Sequence, residues 1–145
     1  MRTKEFLSQL DHDRIVRAIK DAEAKTSAEI RVYLQRGKLV GDPVAAAVKR
    51  FHRLGMQKTR ERNAVLIFVA ARSQKFAVIG DEAIHQRCGE VYWQYVVDLM
   101  REHFRSERFS DAIVDAVRDI GRVLAEHFPK RAESTNELPD EVVED

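Results

Sequence analysis

The chain has 145 residues, with 25 lysines and arginines against 24 aspartates and glutamates, a formal net charge of +1 and 44% hydrophobic residues. That size suits one domain with a core of its own, and with Cys88 as the single cysteine no internal disulfide can form. No uncharged apolar run approaches the roughly 20 residues that span a bilayer, and the N-terminus lacks an apolar leader-like stretch, so the expectation is a cytoplasmic protein without membrane insertion.

Charge is unevenly placed. Residues 133–145 hold six acids and no base, so the rest of the chain is net basic. This divides the chain into a domain over 1–130 and an acidic tail over 131–145 without fixed structure.

Asp11 and Asp13 precede Ile15, Ile19 and Ala22, which predicts an amphipathic helix, started by an Asp cap and running to about Lys25. Glu29 to Gln35 alternates polar and apolar residues, the pattern of a strand with one face on the core and one nearer water. Asp42-Pro43 opens a second helix, with Asp as cap and Pro at the first helical position, where its missing N–H costs nothing. Its apolar side holds Val44, Ala47, Val48, Phe51 and Leu54, and Gly55 ends it.

Ala64 to Ala71 is apolar at every residue, which predicts a strand covered on both faces. Arg72-Ser73-Gln74 turns the chain into a partner strand, Phe76 to Ile79. A short helix follows from Asp81 to about Cys88, then a longer one from Glu90 with the stripe Trp93, Val96/Val97, Met100 and Phe104. The last helix, capped by Ser110, carries Ile113, Val117, Ile120, Leu124 and Phe128 and stops at Pro129. Three strands among four or five helices define an α/β fold, an α/β/α sandwich with a small central mixed sheet. A helical crossover joins the first two strands in parallel, and a hairpin joins the last two.

The runs Ala18–Leu34 and Phe51–His85, a helix containing Glu102-His103-Phe104 and a final one ending in Ala125-Glu126-His127-Phe128-Pro129 resemble the TPM domain family. That family is named for a thylakoid lumen phosphatase-like protein, a photosystem II repair protein and a nematode receptor-associated modulator. The resemblance covers about residues 10 to 129, and it is strongest at Thr26–Val32 and Asn63–Glu82. It implies a compact α/β/α sandwich. It also implies one of three activities: weak acid phosphatase, binding of calcium or another divalent cation through acids at one sheet edge, or service as an accessory factor to a membrane protein. The family's Gly-x-Gly at this corner is reduced here to Gly80.

Asp81 and Glu82 match the family's acidic corner, and Asn63 matches the residue before its central strand. Those three are the candidate ligands for Ca2+ or another divalent cation, although calcium needs about six to eight oxygens. The plainer reading makes Asp81 the cap of the next helix and Glu82 a first-turn acid. Arg60 and Arg62, within the basic stretch Lys49–Arg62, are candidates for binding an anion such as phosphate. No aromatic interleaving or groove-reading motif accompanies them, so nucleic acid is the weaker partner class. His85 and Cys88 lie one helical turn apart, but a pair without a second pair does not define a zinc site. No Ser-His-Asp order, phosphate loop or Cys-x-x-Cys is present. The leading expectation is therefore a binding or accessory domain for a protein partner or a divalent cation, with a metal-assisted phosphatase as the alternative.

Overall fold

A computed structural model describes residues 9–105, 109–130, 137–140 and 142–144. In chain order the elements are α1 (Gln9–Glu23), β1 (Glu29–Gln35), α2 (Pro43–Arg53), β2 (Ala64–Ala70), β3 (Lys75–Gly80), α3 (Glu82–Cys88), α4 (Glu90–Arg105), α5 (Phe109–His127) and β4 (Val143–Glu144). The strands form one mixed sheet in the order β3-β2-β1-β4. β1 and β2 are parallel, with Glu29 opposite Ala64 and Gln35 opposite Ala70, and β2 and β3 form the antiparallel hairpin. Helices cover both faces, so the α/β sandwich expected from the sequence is the observed fold.

Local chemistry sets several boundaries. Asp42 caps α2 by accepting a 3.1 Å bond from the Ala45 N–H, and Pro43 takes the first turn as expected. α1 begins at Gln9, upstream of the expected Asp11/Asp13 cap, and α5 begins at Phe109, so Ser110 lies inside the helix rather than capping it.

The core has two halves, one on each side of the sheet. Ile15, Ile19, Val32, Ile67, Trp93, Val96, Met100, Ile113, Val117 and Ile120 pack under α1, α4 and α5. Tyr33, Phe51, Met56, Leu66 and Phe68 pack under α2. Every residue of β2 is buried, as its unbroken apolar run requires. α1 and α5 come close where Gly121 faces Ala22; a Cβ at 121 would fall 2.6 Å from the Ala22 Cβ.

Two expectations change. β1 is covered on both faces, with Glu29 and Tyr33 buried alongside Ile30 and Val32. Tyr33 stacks on Phe68 at 5.7 Å with the Arg50 guanidinium 5.3 Å from its ring, and Glu29 lies under residues 137–138. The strand count also rises from three to four, because Val143–Glu144 pairs in parallel with Tyr33 and Leu34. This fourth strand comes from the acidic segment beyond residue 130; residues 131–136, 141 and 145 of that segment lie outside the described residues. No helix among the described residues is long and apolar enough to cross a membrane.

Candidate binding cleft

The hairpin corner is built from Arg62, Asp81 and Glu82. Asp81 N–H bonds the Ala64 carbonyl at 2.9 Å, which closes the β2–β3 ladder and places the Asp81 side chain at the head of α3. There it accepts a 2.8 Å bond from the Glu82 N–H as N-cap. Arg62 Nε and Nη2 donate to its two oxygens at 2.8 and 2.9 Å, the forked geometry that makes Arg–carboxylate pairs strong and directional. Glu82 lies 3.7 Å from the same guanidinium, with an exposed side chain. Arg62 reaches the corner from a left-handed backbone, φ +53°, which costs a non-glycine residue about 1–2 kcal/mol and is held here by a bond from the Ala83 N–H to the Arg62 carbonyl.

The structure thus brings Asp81, Glu82 and Arg62 together and turns the other two candidates elsewhere. Asn63 is buried, and its Nδ2 donates to Ser27 Oγ at 3.4 Å and Glu61 Oε2 at 3.3 Å, while its Oδ1 is buried without a hydrogen-bond partner among the described residues. Arg60 is exposed, and its backbone N–H donates to Glu137 Oε1 at 3.4 Å. Both Asp81 oxygens are engaged by Arg62, so a cation at this corner must compete with that guanidinium for the carboxylate. Among the described residues no group of three or more His, Cys, Asp or Glu side chains is placed to hold a metal ion. His85 is exposed with its ring 6.0 Å from Trp93, and burial raises the pKa of the half-buried Cys88 thiol.

The corner is one end of a cleft of about 600 Å3 that runs along β3. One wall is α2, through Val44, Val48, Phe51 and His52; the other is α4, through Glu90, Trp93, Gln94 and Val97; Val78, Ile79 and Gly80 form the floor. Val44 and Val48, expected to be core, are 50% and 40% exposed. β3 is the last strand on this side of the sheet, so among the described residues the outer column of α2 has nothing to cover it. Gly80 lets α3 and α4 close on the floor: a Cβ there would lie 2.7 Å from Ile84 Cγ2 and 2.8 Å from Trp93 Cζ2. The Trp93 indole N–H is buried without an acceptor among the described residues.

Beyond Arg62 and Asp81, the sequence did not single out the lining residues. The available signal was the width of the α2 pattern, since Ala47, Phe51 and Leu54 suffice for a core stripe and Val44 and Val48 form a second column.

A second polar locus lies at the same strand end of the sheet, across β2 from the corner, where Glu29 stands opposite Ala64. Glu23 accepts from the Ile30 N–H at 2.7 Å, and Glu29 accepts from the Glu137 and Leu138 backbone N–H groups. Burial, reinforced by a hydrogen bond to Asp140, pushes the Glu23 carboxyl up to about 10, and burial also raises Glu29. These acids line a smaller pocket of about 190 Å3 with Lys20, Lys130 and Asp140.

Fold and site together define an α/β domain with an apolar edge cleft and an arginine-locked acidic corner. The model of the TPM domain family matches residues 1–123, and the chain belongs to that family. Its structure is similar to the NMR structure of the BA42 protein from the psychrophilic bacterium Bizionia argentinensis, with a TM-score of 0.89 and 33% sequence identity over 97% of this chain and 96% of that one. No curated protein matches the chain.

Proposed function

We propose that this TPM domain is a binding module whose ligand is a protein partner seated in the cleft between α2, β3 and α4. The observation that carries this reading is the uncovered apolar column Val44–Val48 facing Val78 and Val97 across one continuous cleft. Apolar clefts with a few converging polar groups are the usual form of a binding site. The accessory role that the family resemblance implies, including service to a membrane protein, is compatible with such a surface.

A photo-crosslinking residue at Val48 tests it, with the same residue at the exposed Tyr95, outside the cleft, as control. A discrete adduct from Val48 but not from Tyr95 is the expected result. Equal or absent adducts at both positions in the organism's own cells would remove the cleft from consideration.

A second reading is a divalent cation, Ca2+ being one candidate, with Asn63, Asp81 and Glu82 as ligands; it draws on the Asn63 Oδ1, which has no partner among the described residues, and requires that side chain to turn from Ser27 and Glu61 to the corner. Its phosphatase extension adds Arg60 or Arg62 as the phosphate-binding cation. Both need a cation to compete with Arg62 for the Asp81 carboxylate. An amide NMR titration with calcium and then magnesium separates them from the first reading, since a cation shifts Asn63, Gly80 and Glu82 in the wild type and not in Asp81→Ala. The phosphatase further requires metal-dependent turnover that this variant abolishes.

A further inference from the structure

The sheet separates charge. On the α2 side, residues 36–60, which join β1 to β2, carry seven lysines and arginines against the single acid Asp42. On the other side, α1, α4 and α5 together carry eleven acids against seven lysines and arginines. A chain of almost zero net charge is thus a dipole whose basic end is the α2 layer.

The basic end also carries uncovered apolar surface. Val40, in the loop before α2, is 90% exposed. Its neighbours hold it there: the buried Leu39 donates its N–H to Ser73 Oγ at 2.8 Å, and Lys75 Nζ donates to the Gly41 carbonyl at 3.1 Å. The loop is therefore pinned to the turn between β2 and β3 on both sides of the valine, with Arg72 and Lys75 beside it. On α2, Ala47 and Phe51 face the core, and at 3.6 residues per turn Lys49 and Arg53 fall on the opposite side of the helix, away from the sheet. Lys38, Lys49, Arg53 and Arg72 are exposed, and none of the four forms an ion pair among the described residues.

We propose that this face docks on the surface of an anionic lipid bilayer, with Val40 reaching the acyl boundary and Lys38, Lys49, Arg53 and Arg72 lying among the lipid phosphates. The proposal goes beyond the cleft reading and needs no occupant of the cleft. Charge complementarity selects the bilayer: basic side chains around an apolar contact are what holds a protein at an anionic leaflet. The face is a loop tip and the outer side of one helix, a protruding surface that suits a plane. Nucleic acid is the poorer fit, because the aromatic rings of this layer, Tyr33, Phe51 and Phe68, are all buried and give bases nothing to stack on.

The acids near this face are otherwise engaged. Asp42 accepts the Ala45 N–H at the start of α2. Glu144 pairs with Arg36 at the β4 edge, whereas α2 lies over β2 and β3. No described helix can cross a bilayer, so the contact is superficial.

The test is co-sedimentation of the full chain with vesicles of phosphatidylcholine alone or with about one-third phosphatidylglycerol. Binding should require the anionic lipid and weaken at least about tenfold between roughly 0.1 and 0.5 M salt. Lys49→Glu combined with Arg53→Glu should weaken it about tenfold, and Val40→Ser, which leaves the charge unchanged, about threefold. Arg118→Glu combined with Arg122→Glu makes the same charge change on α5 and should leave binding within about twofold. Val40→Trp should shift its emission to the blue on anionic vesicles, a readout that stands if a charge-reversed pair fails to fold.

Absence of binding to the anionic vesicles would overturn the proposal. Equal losses in the two charge-reversed pairs would reduce it to net charge and overturn the docking face. Unshifted Val40→Trp emission on bound protein would overturn it as well. Duplex DNA or polyglutamate bound as tightly as the vesicles, with Val40→Ser without effect, would assign the face to a polyanion instead. None of the varied residues lines the cleft, so the crosslink from Val48 judges the binding reading separately.

Discussion

Arg62 holds both oxygens of Asp81, at 2.8 and 2.9 Å, while the same carboxylate caps α3 through the Glu82 N–H. One buried acid thus closes the hairpin, starts the next helix and anchors a left-handed arginine. Asp81→Ala keeps the backbone bond to Ala64 but removes the cap and the arginine anchor, and loss of the cap alone is worth about 0.5–2 kcal/mol. Urea denaturation should show Asp81→Ala destabilised by at least that much, with Asp81→Asn less affected because its side-chain oxygen still caps. Equal losses in the two variants would mean that the charge pairing with Arg62, rather than the cap, dominates.

Gly80→Ala tests how tightly the floor of the cleft is closed. The added Cβ meets Ile84 and Trp93 at under 3 Å, with branched or aromatic side chains on both sides and little room to yield. Overpacking of this kind costs about 1–3 kcal/mol. The expected signs are a lower denaturation midpoint and a changed near-ultraviolet signal from Trp93. An unchanged midpoint would show that α3 shifts freely against the sheet.

The sequence shows most clearly what is decided locally. The unbroken apolar run of β2, the Asp42-Pro43 start of α2 and the Asp81 cap all follow from neighbours within a few residues. Residues whose surroundings come from far along the chain are not legible in this way. Glu29 looks like an outward strand residue, yet it is buried because backbone donors more than a hundred positions later settle on it. Val44 and Val48 look like core, but β3 ends the sheet beside them. Asn63 adjoins the acidic corner in sequence, while its side chain turns toward Ser27 and Glu61.

Cys88 should be a slow thiol. Burial raises its pKa, and the opposing effect of Arg87 is the smaller one. The thiolate is the reactive form, so at pH 8 a disulfide reagent should modify Cys88 more slowly than free cysteine and speed up in urea. Modification as fast as that of free cysteine would mean that α3 opens readily.

Glu23 makes stability depend on pH in the direction opposite to an ordinary ion-paired acid. Its folded pKa, raised to about 10 by burial and then by Asp140, lies above the ordinary carboxyl value of 4.5, so folding takes up a proton. The resulting stabilisation is complete below about 4.5 and declines as pH rises toward 10. Glu23→Gln keeps an acceptor for the Ile30 N–H and cannot ionise. Denaturation midpoints at pH 5, 7 and 9 should therefore fall less steeply for the variant than for the wild type, and parallel curves would refute a proton held at Glu23.

Removing residues 137–145 isolates what the C-terminal segment contributes. Leu138 and Val143 join the α2 half of the core, Val143–Glu144 covers the edge of β1, and Glu144 pairs with Arg36 and His12. The surface pairs add little in water, so the loss should come mainly from three half-buried apolar side chains, Leu138, Val142 and Val143, and amount to about 1–3 kcal/mol. Glu29 loses both backbone donors in the same step and becomes open to solvent, which should bring its raised pKa back toward that of a free carboxyl. Truncation should thus lower the midpoint at neutral pH, quicken amide exchange at Tyr33–Gln35 and flatten the alkaline decline. A truncated chain with the midpoint and pH profile of the full chain would show that the segment rests on the sheet without stabilising it.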